Sequence, residues 1–114
     1  MARIRHIEVA GTDGSALRDF YGTLFDWPMT PRAGAAFDYF DFEAGPELSG
    51  GIRHEPEGPA EVVMYVDVDD LDATVARATE QGAEVRIPPM DHDGGRFALI
   101  VDPAGNTLGL LEGS

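Results

Sequence analysis

Arg5–Trp27 reads RHIEVAGTDGSALRDFYGTLFDW and Val62–Val85 reads VVMYVDVDDLDATVARATEQGAEV, and the two stretches share one plan. Each opens on alternating apolar residues, passes a turn rich in Asp, and continues in apolar steps of three and four. That is a strand followed by an amphipathic helix. Stated twice in a chain of 114 residues, it points to a repeated supersecondary unit and narrows the fold sharply.

Working outward from the first stretch, Ile4–Val9 alternates Ile7 and Val9 with His6 and Glu8. One face of this strand is covered by a helix and His6 shares the other with Glu8. After Gly11, Thr12, Asp13 and Gly14, the stripe Leu17, Phe20, Tyr21, Leu24 and Phe25 marks a capped helix and is assigned to the core. Trp27–Arg32 contains Pro28 and Pro31, which suit only an edge or irregular strand, because proline has no ladder donor. Phe37–Phe42 and Leu48–His54 read as strands. Gly50 and Gly51 within the latter mark a bulge or a close approach by backbone or ligand. Glu55–Glu61, EPEGPAE, is a surface linker with no apolar face.

In the second stretch, Val62, Met64, Val66 and Val68 take one face of a strand, and Val63, Tyr65 and Asp67 take the other. Asp69 or Asp70 caps a helix through Leu71, Val75 and Ala78 that ends at Gly82. Strands follow at Ala83–Ile87, Arg96–Val101 and Thr107–Glu112, with Asp102–Asn106 as a hairpin turn. The expected class is α+β: two tandem β-α-β-β-β modules in a single domain, 1–114. Module one covers about 1–54, the linker about 55–61 and module two about 62–114.

Eight basic against 21 acidic side chains give a formal charge of −13, and the isoelectric point is about 4.3. Such a chain repels phosphate backbones and anionic lipid, so neither nucleic acid nor membrane is an expected partner; the acidity reads first as a solvated surface that keeps the chain in solution, and a cationic ligand is the sharper alternative. With no cysteine, disulfides, thiolate zinc sites and thiol nucleophiles are excluded. No apolar run is long enough to span a bilayer and no signal pattern opens the chain, so the expected location is cytoplasmic. Ser15, Ser49 and Ser114 have no legible triad partners, so no nucleophile is assigned. Pro88–Gly95, with Asp91, His92 and Asp93, lacks calcium-loop spacing and reads as a hairpin connection.

RHIEVAG, a helix ending FYGTLFDW, GGI, VDVDDLDATVARATEQGAEV and DPAGNTLGLLE, in that order, resemble the vicinal oxygen chelate superfamily. It includes glyoxalase I, extradiol dioxygenases and bleomycin-resistance proteins. The resemblance spans essentially the whole chain. It implies sheets that curl into a cleft, the glyoxalase/bleomycin-resistance-like fold, commonly within a homodimer. Metal-dependent members bind a divalent ion from four strand positions, which fall here on His6, near Gly50–Ile52, on Val63 and on Gly109. His6 alone can coordinate, whereas a catalytic ion generally keeps about three protein ligands. No metal and no other cofactor is therefore expected; a rearranged set would have to recruit Glu8, His54 or His92.

The implied cleft would be lined by His6, Glu8, Trp27, Phe37, Tyr39, Tyr65, Met90 and Phe97. The leading expectation is a metal-free protein that binds a small cationic or aromatic compound without changing it. The alternative is a lyase or isomerase of the glyoxalase type, acting on a small carbonyl compound with His6 or Glu8 as acid or base. A third possibility is a dimer whose cleft is filled by its own side chains.

Overall fold

The computed structural model describes residues 1–35, 37–92 and 94–113. Among these, the elements in chain order are β1 (Arg3–Gly11), α1 (Gly14–Phe25), β2 (Thr30–Pro31), β3 (Tyr39–Gly45), β4 (Leu48–His54), β5 (Glu61–Asp67), α2 (Leu71–Glu80), β6 (Glu84–His92), β7 (Gly95–Val101) and β8 (Thr107–Glu112). The strand-helix-three-strand plan occurs twice, and the class is α+β. Two compact units result, His6–Val62 and Met1–Arg5 with Val63–Ser114.

In the unit His6–Val62 the strand order is β2-β3-β4-β1, with β1 parallel to β4 and the other pairs antiparallel. Asp13 caps α1 by accepting from the Ala16 amide, 3.0 Å away, and the helix stops at Asp26, which adopts a left-handed conformation with φ 55°. Phe40, Phe42 and Ile52 form the buried centre, with Val9, Leu17, Tyr21, Trp27 and Met29 packed round them.

Two expectations need correcting here. Phe20, Leu24 and Phe25, assigned to the core, are 58%, 58% and 50% exposed, because this unit's sheet covers only the Leu17 and Tyr21 side of a wider apolar stripe. Periodicity shows which face is apolar and not what covers it. Trp27, expected in the cleft, stacks on Phe42 with ring centroids 4.7 Å apart, on the helix side of the sheet and away from His6.

The paired glycines of β4 are the site of a close approach, made by the protein's own rings. A Cβ at Gly50 would lie 2.3 Å from the Phe42 ring, and one at Gly51 would lie 2.0 Å from the Tyr39 hydroxyl. Gly50 and Gly51 hold regular register with Phe42 and Asp41; the β3–β4 register shift lies instead between Glu43 and Gly45.

The other unit repeats the order as β5-β8-β7-β6, with β5 parallel to β8. Leu71, Ala98, Ile100 and Leu110 are buried at its centre, against Val66, Val68, Val75 and Ala78. Of the two cap candidates, Asp70 is the cap, accepting from the Ala73 amide at 3.0 Å. Glu112 on β8 accepts from the Leu71 amide at 2.7 Å, so the last strand holds the start of the helix that packs on it. Gly82 follows the helix with φ 98°.

The segment assigned to a loop from Pro88 is part of β6, which runs on to His92. Pro88 and Pro89 fall where the β6–β7 register shifts, between Ile87 and Met90. A terminal strand with an irregular ladder tolerates prolines that a central strand would exclude. Asp93 lies outside the described residues. At the β7–β8 turn, the Asp102 carboxylate accepts from the amides of Ala104 and Asn106 and from the Asn106 side chain. The Asn106 side chain chiefly, then these amides, hold its carboxyl below the usual value. Neither helix is long and apolar enough to cross a membrane.

Candidate functional site

On the sheet face away from α1, register places His6 beside Ser49, Glu8 beside Gly51 and Ala10 beside Arg53. Tyr39 is the neighbour of Arg53, and Asp41 of Gly51. Alternation along each strand then brings His6, Glu8, Tyr39, Asp41, Ser49 and Arg53 to one surface.

The hydrogen bonds of this surface have a definite direction. The Tyr39 hydroxyl donates to Glu8 Oε2 at 2.9 Å. A phenol carries one proton, so the same oxygen accepts from His6 Nε2, 2.8 Å away. With Nε2 protonated in a neutral ring, Nδ1 accepts from the Ser49 hydroxyl at 2.6 Å. The run is therefore Ser49 to His6 to Tyr39 to Glu8, each group donating to the next. The neutral ring agrees with its surroundings: burial, and to a lesser extent Arg32, push the His6 imidazole below its ordinary pKa, against the opposing pull of Glu8 and Asp41.

At the end of the run, Glu8 is only 6% exposed and its Oε1 lies 2.9 Å from Arg53 Nε. The terminal nitrogens of Arg53 reach Glu55 at 2.8 Å and Glu61 at 3.0 Å. The ends of the linker thus anchor the guanidinium that offsets the buried carboxylate. Arg32 lies over the Tyr39 ring, 4.1 Å from its centroid, and is bound by the Asp41 carboxylate.

Of the eight residues expected to line the cleft, Tyr39 is hydrogen-bonded to both His6 and Glu8 and joins them. Trp27 packs on the opposite sheet face, as described. Phe37 is 60% exposed and tilted against His54 at 6.5 Å. Tyr65, Met90 and Phe97 belong to the other unit. There Tyr65 lies over its register partner Gly109, whose added Cβ would be 2.2 Å from the ring. Met90 pairs with Phe97, and Phe97 meets the His92 ring edge-to-face at 5.4 Å. An open groove in that unit is lined by His92, Arg96 and Glu112 among others; its Arg96 is paired with Asp72 and Glu112.

Arg53, Arg32 and Asp41 were not singled out by sequence reasoning, and Ser49 was set aside for want of triad partners. Period-two alternation in β4 does join Ser49 to Gly51 and Arg53, but only the parallel pairing of β4 with β1 puts them opposite His6 and Glu8.

The family's metal-ligand positions can be tested against these contacts. Both nitrogens of His6 are engaged, Gly51 is covered by Tyr39, Gly109 is covered by Tyr65, and Val63 has no ligating atom. Among the described residues, no group of three or more His, Asp or Glu is placed to hold a metal ion. The residues present do not fit the metal.

The glyoxalase-like domain family matches residues 6–111. CFP32 of Mycobacterium bovis and of Mycobacterium tuberculosis, provisionally named a glyoxylase, is 32% identical over 114 residues, covering 93% of this chain and 44% of that protein. The chain thus spans less than half the length of the curated relatives it matches. Among solved structures, methylmalonyl-CoA epimerase of Mycobacterium tuberculosis superposes with a TM-score of 0.69 at 14% identity, covering 97% of this chain and 87% of that one. The Mn(II)-bound glyoxalase of Novosphingobium aromaticivorans gives 0.68 at 22% identity, with 98% and 40% covered. Protein BH1468 of Bacillus halodurans, of hypothetical function, gives 0.73 at 15% identity, with 99% and 95% covered. These structural similarities establish the glyoxalase/bleomycin-resistance-like fold.

Proposed function

Because this chain belongs to the glyoxalase-like domain family, within the vicinal oxygen chelate superfamily, we propose that it is a metal-free module that binds a small cationic or aromatic compound. The observation that carries the reading is the capture of His6, the sole ligating side chain at the inherited metal positions, by Ser49 and Tyr39. Charge supports a cation. Among the described residues, Glu8, Asp41, Glu43, Glu55 and Glu61 share or border this face with Arg32 and Arg53, in a chain of formal charge −13. Such a field raises the local concentration of cations and disfavours anionic substrates such as a thioester of coenzyme A.

The test is a melting-temperature screen of organic cations and aromatic amines, beside titration with nickel, zinc, manganese and iron and elemental analysis of protein purified without chelator. An organic cation at hundredfold excess over its Kd should raise stability by about 2.7 kcal/mol and be recovered unchanged. Stabilisation by a stoichiometric metal, with none by organic cations, would sink the reading.

A second reading is favoured by the continuity of the run from Ser49 to Glu8. Such a chain can pass a proton between a bound carbonyl compound and a carboxylate, as a lyase or isomerase requires. Turnover of a small carbonyl compound, abolished in a folded His6→Ala variant, would put this reading first.

A further inference from the structure

We infer that Tyr39 stands in for the metal at His6, acting as a positioning residue that fixes the imidazole with a proton on Nε2 while filling the space of a ligand at position 51. The inference rests on the metal-free part of the preceding reading and not on the identity of any ligand.

Three observations carry it. The Tyr39 hydroxyl is 2.8 Å from Nε2, so the lone pair a metal would need is replaced by an N–H directed at a phenol. The same hydroxyl is 2.0 Å from where a Cβ at Gly51 would begin; a side chain there and this pose of Tyr39 exclude each other. The phenol is also clamped rather than loosely placed, since it donates to Glu8 and has Arg32 against its ring at 4.1 Å.

The other unit, taken by itself, shows the same device reached by another route. Gly51 pairs with Glu8 across the parallel β1–β4 ladder, and Gly109 pairs with Tyr65 across the parallel β5–β8 ladder. Strand order makes these two glycines equivalent in the repeat. Both are covered by a tyrosine, yet Tyr39 comes from the third element of its sheet pathway, β3, whereas Tyr65 comes from β5, the counterpart of β1. Copying of one module from the other therefore does not account for the two covers. Each arises separately at a position where a ligating side chain would have to stand, which is the pattern expected when the space itself is what must be filled.

The test combines spectroscopy with metal titration. Ring 15N shifts of His6 in the full chain at pH 8 should show Nε2 protonated and Nδ1 bare. Tyr39→Phe should abolish that single-tautomer pattern while leaving the amide spectrum folded. Nickel should not stabilise the wild-type chain through His6. The double variant Tyr39→Ala with Gly51→Glu should gain a melting-temperature increase of at least about 5 °C with excess nickel, lost again when His6→Ala is added. An Nδ1-protonated ring in the wild type, an unchanged tautomer in Tyr39→Phe, or His6-dependent nickel binding by the wild type would each overturn the inference. So would a folded double variant that gains no nickel binding; if that variant does not fold, the tautomer measurement decides. A failed search for organic ligands would count against the binding reading alone.

Discussion

Arg53 is held against Glu8, with Nε 2.9 Å from Oε1, and turns its other two nitrogens to Glu55 and Glu61. One guanidinium thus serves three carboxylates, of which Glu8 is nearly out of contact with water. The arrangement is asymmetric: loss of the cation leaves several anions close together, one of them buried.

Arg53→Leu should accordingly destabilise the chain by about 2–4 kcal/mol, read as a lower denaturant midpoint at unchanged slope. Adding Glu8→Gln should recover part of the loss, because a buried neutral amide needs no counter-charge. A double variant no more stable than Arg53→Leu would show that Glu55 and Glu61 carry the effect.

Gly51→Ala and Gly109→Ala should each cost about 1–3 kcal/mol, since the added methyl meets a packed tyrosine ring. Gly45→Ala is the control. No heavy atom lies within 4 Å of a Cβ there and its φ is not positive, so its effect should stay within about 0.5 kcal/mol. Equal losses at all three positions would mean that strand glycines, and not ring contacts, set the result.

Acidification should cost stability through His6. Its folded pKa lies below the unfolded value of 6.5, so the unfolded chain binds the extra proton first as pH falls. The contribution is present above 6.5 and is lost as pH drops through the folded value. Measured against His6→Gln, the wild-type advantage should shrink below pH 6.5 and be constant above it. The difference between the two proteins is the relevant quantity, because acidification also relieves repulsion among 21 acidic side chains. A parallel pH dependence in both would contradict the assignment.

Glu112→Ala should destabilise by about 1–2 kcal/mol by removing the acceptor from the Leu71 amide. Leu71 is fully buried at the head of α2, so hydrogen exchange in the first turn of that helix should accelerate. Glu112→Gln, which keeps an acceptor oxygen, should lose less. Equal loss in the two variants would assign the effect to the Arg96 pair.

The repeat, the helix starts and most strands were legible because each depends on local spacing. Asp13 and Asp70 cap where hydroxyl or acidic residues precede an apolar run, and Gly82 ends α2 where a left-handed residue is needed. His6, Glu8 and Tyr39 were also legible as candidates, two from strand parity and one as an aromatic on a neighbouring strand. Their connection was not, because it depends on a parallel register between segments more than 40 residues apart, and that register is what brings Ser49 to His6. Trp27 and the Phe20 side of α1 were misplaced for the converse reason: an apolar residue advertises burial without saying against which surface. Pro88 and Pro89 suggested a loop, since the rule excluding proline from strands holds for interior positions and β6 is terminal in its order.

Those prolines have another consequence. β2 is a terminal strand of the order in its unit and β6 a terminal strand in the other, and they carry Pro31 and Pro88 with Pro89. A polypeptide approaching either strand finds missing amide donors where a continuous ladder would have to grow. Each of these two strands is thereby a poor template for cross-β recruitment, although neither contributes a fully buried side chain to the core of its unit.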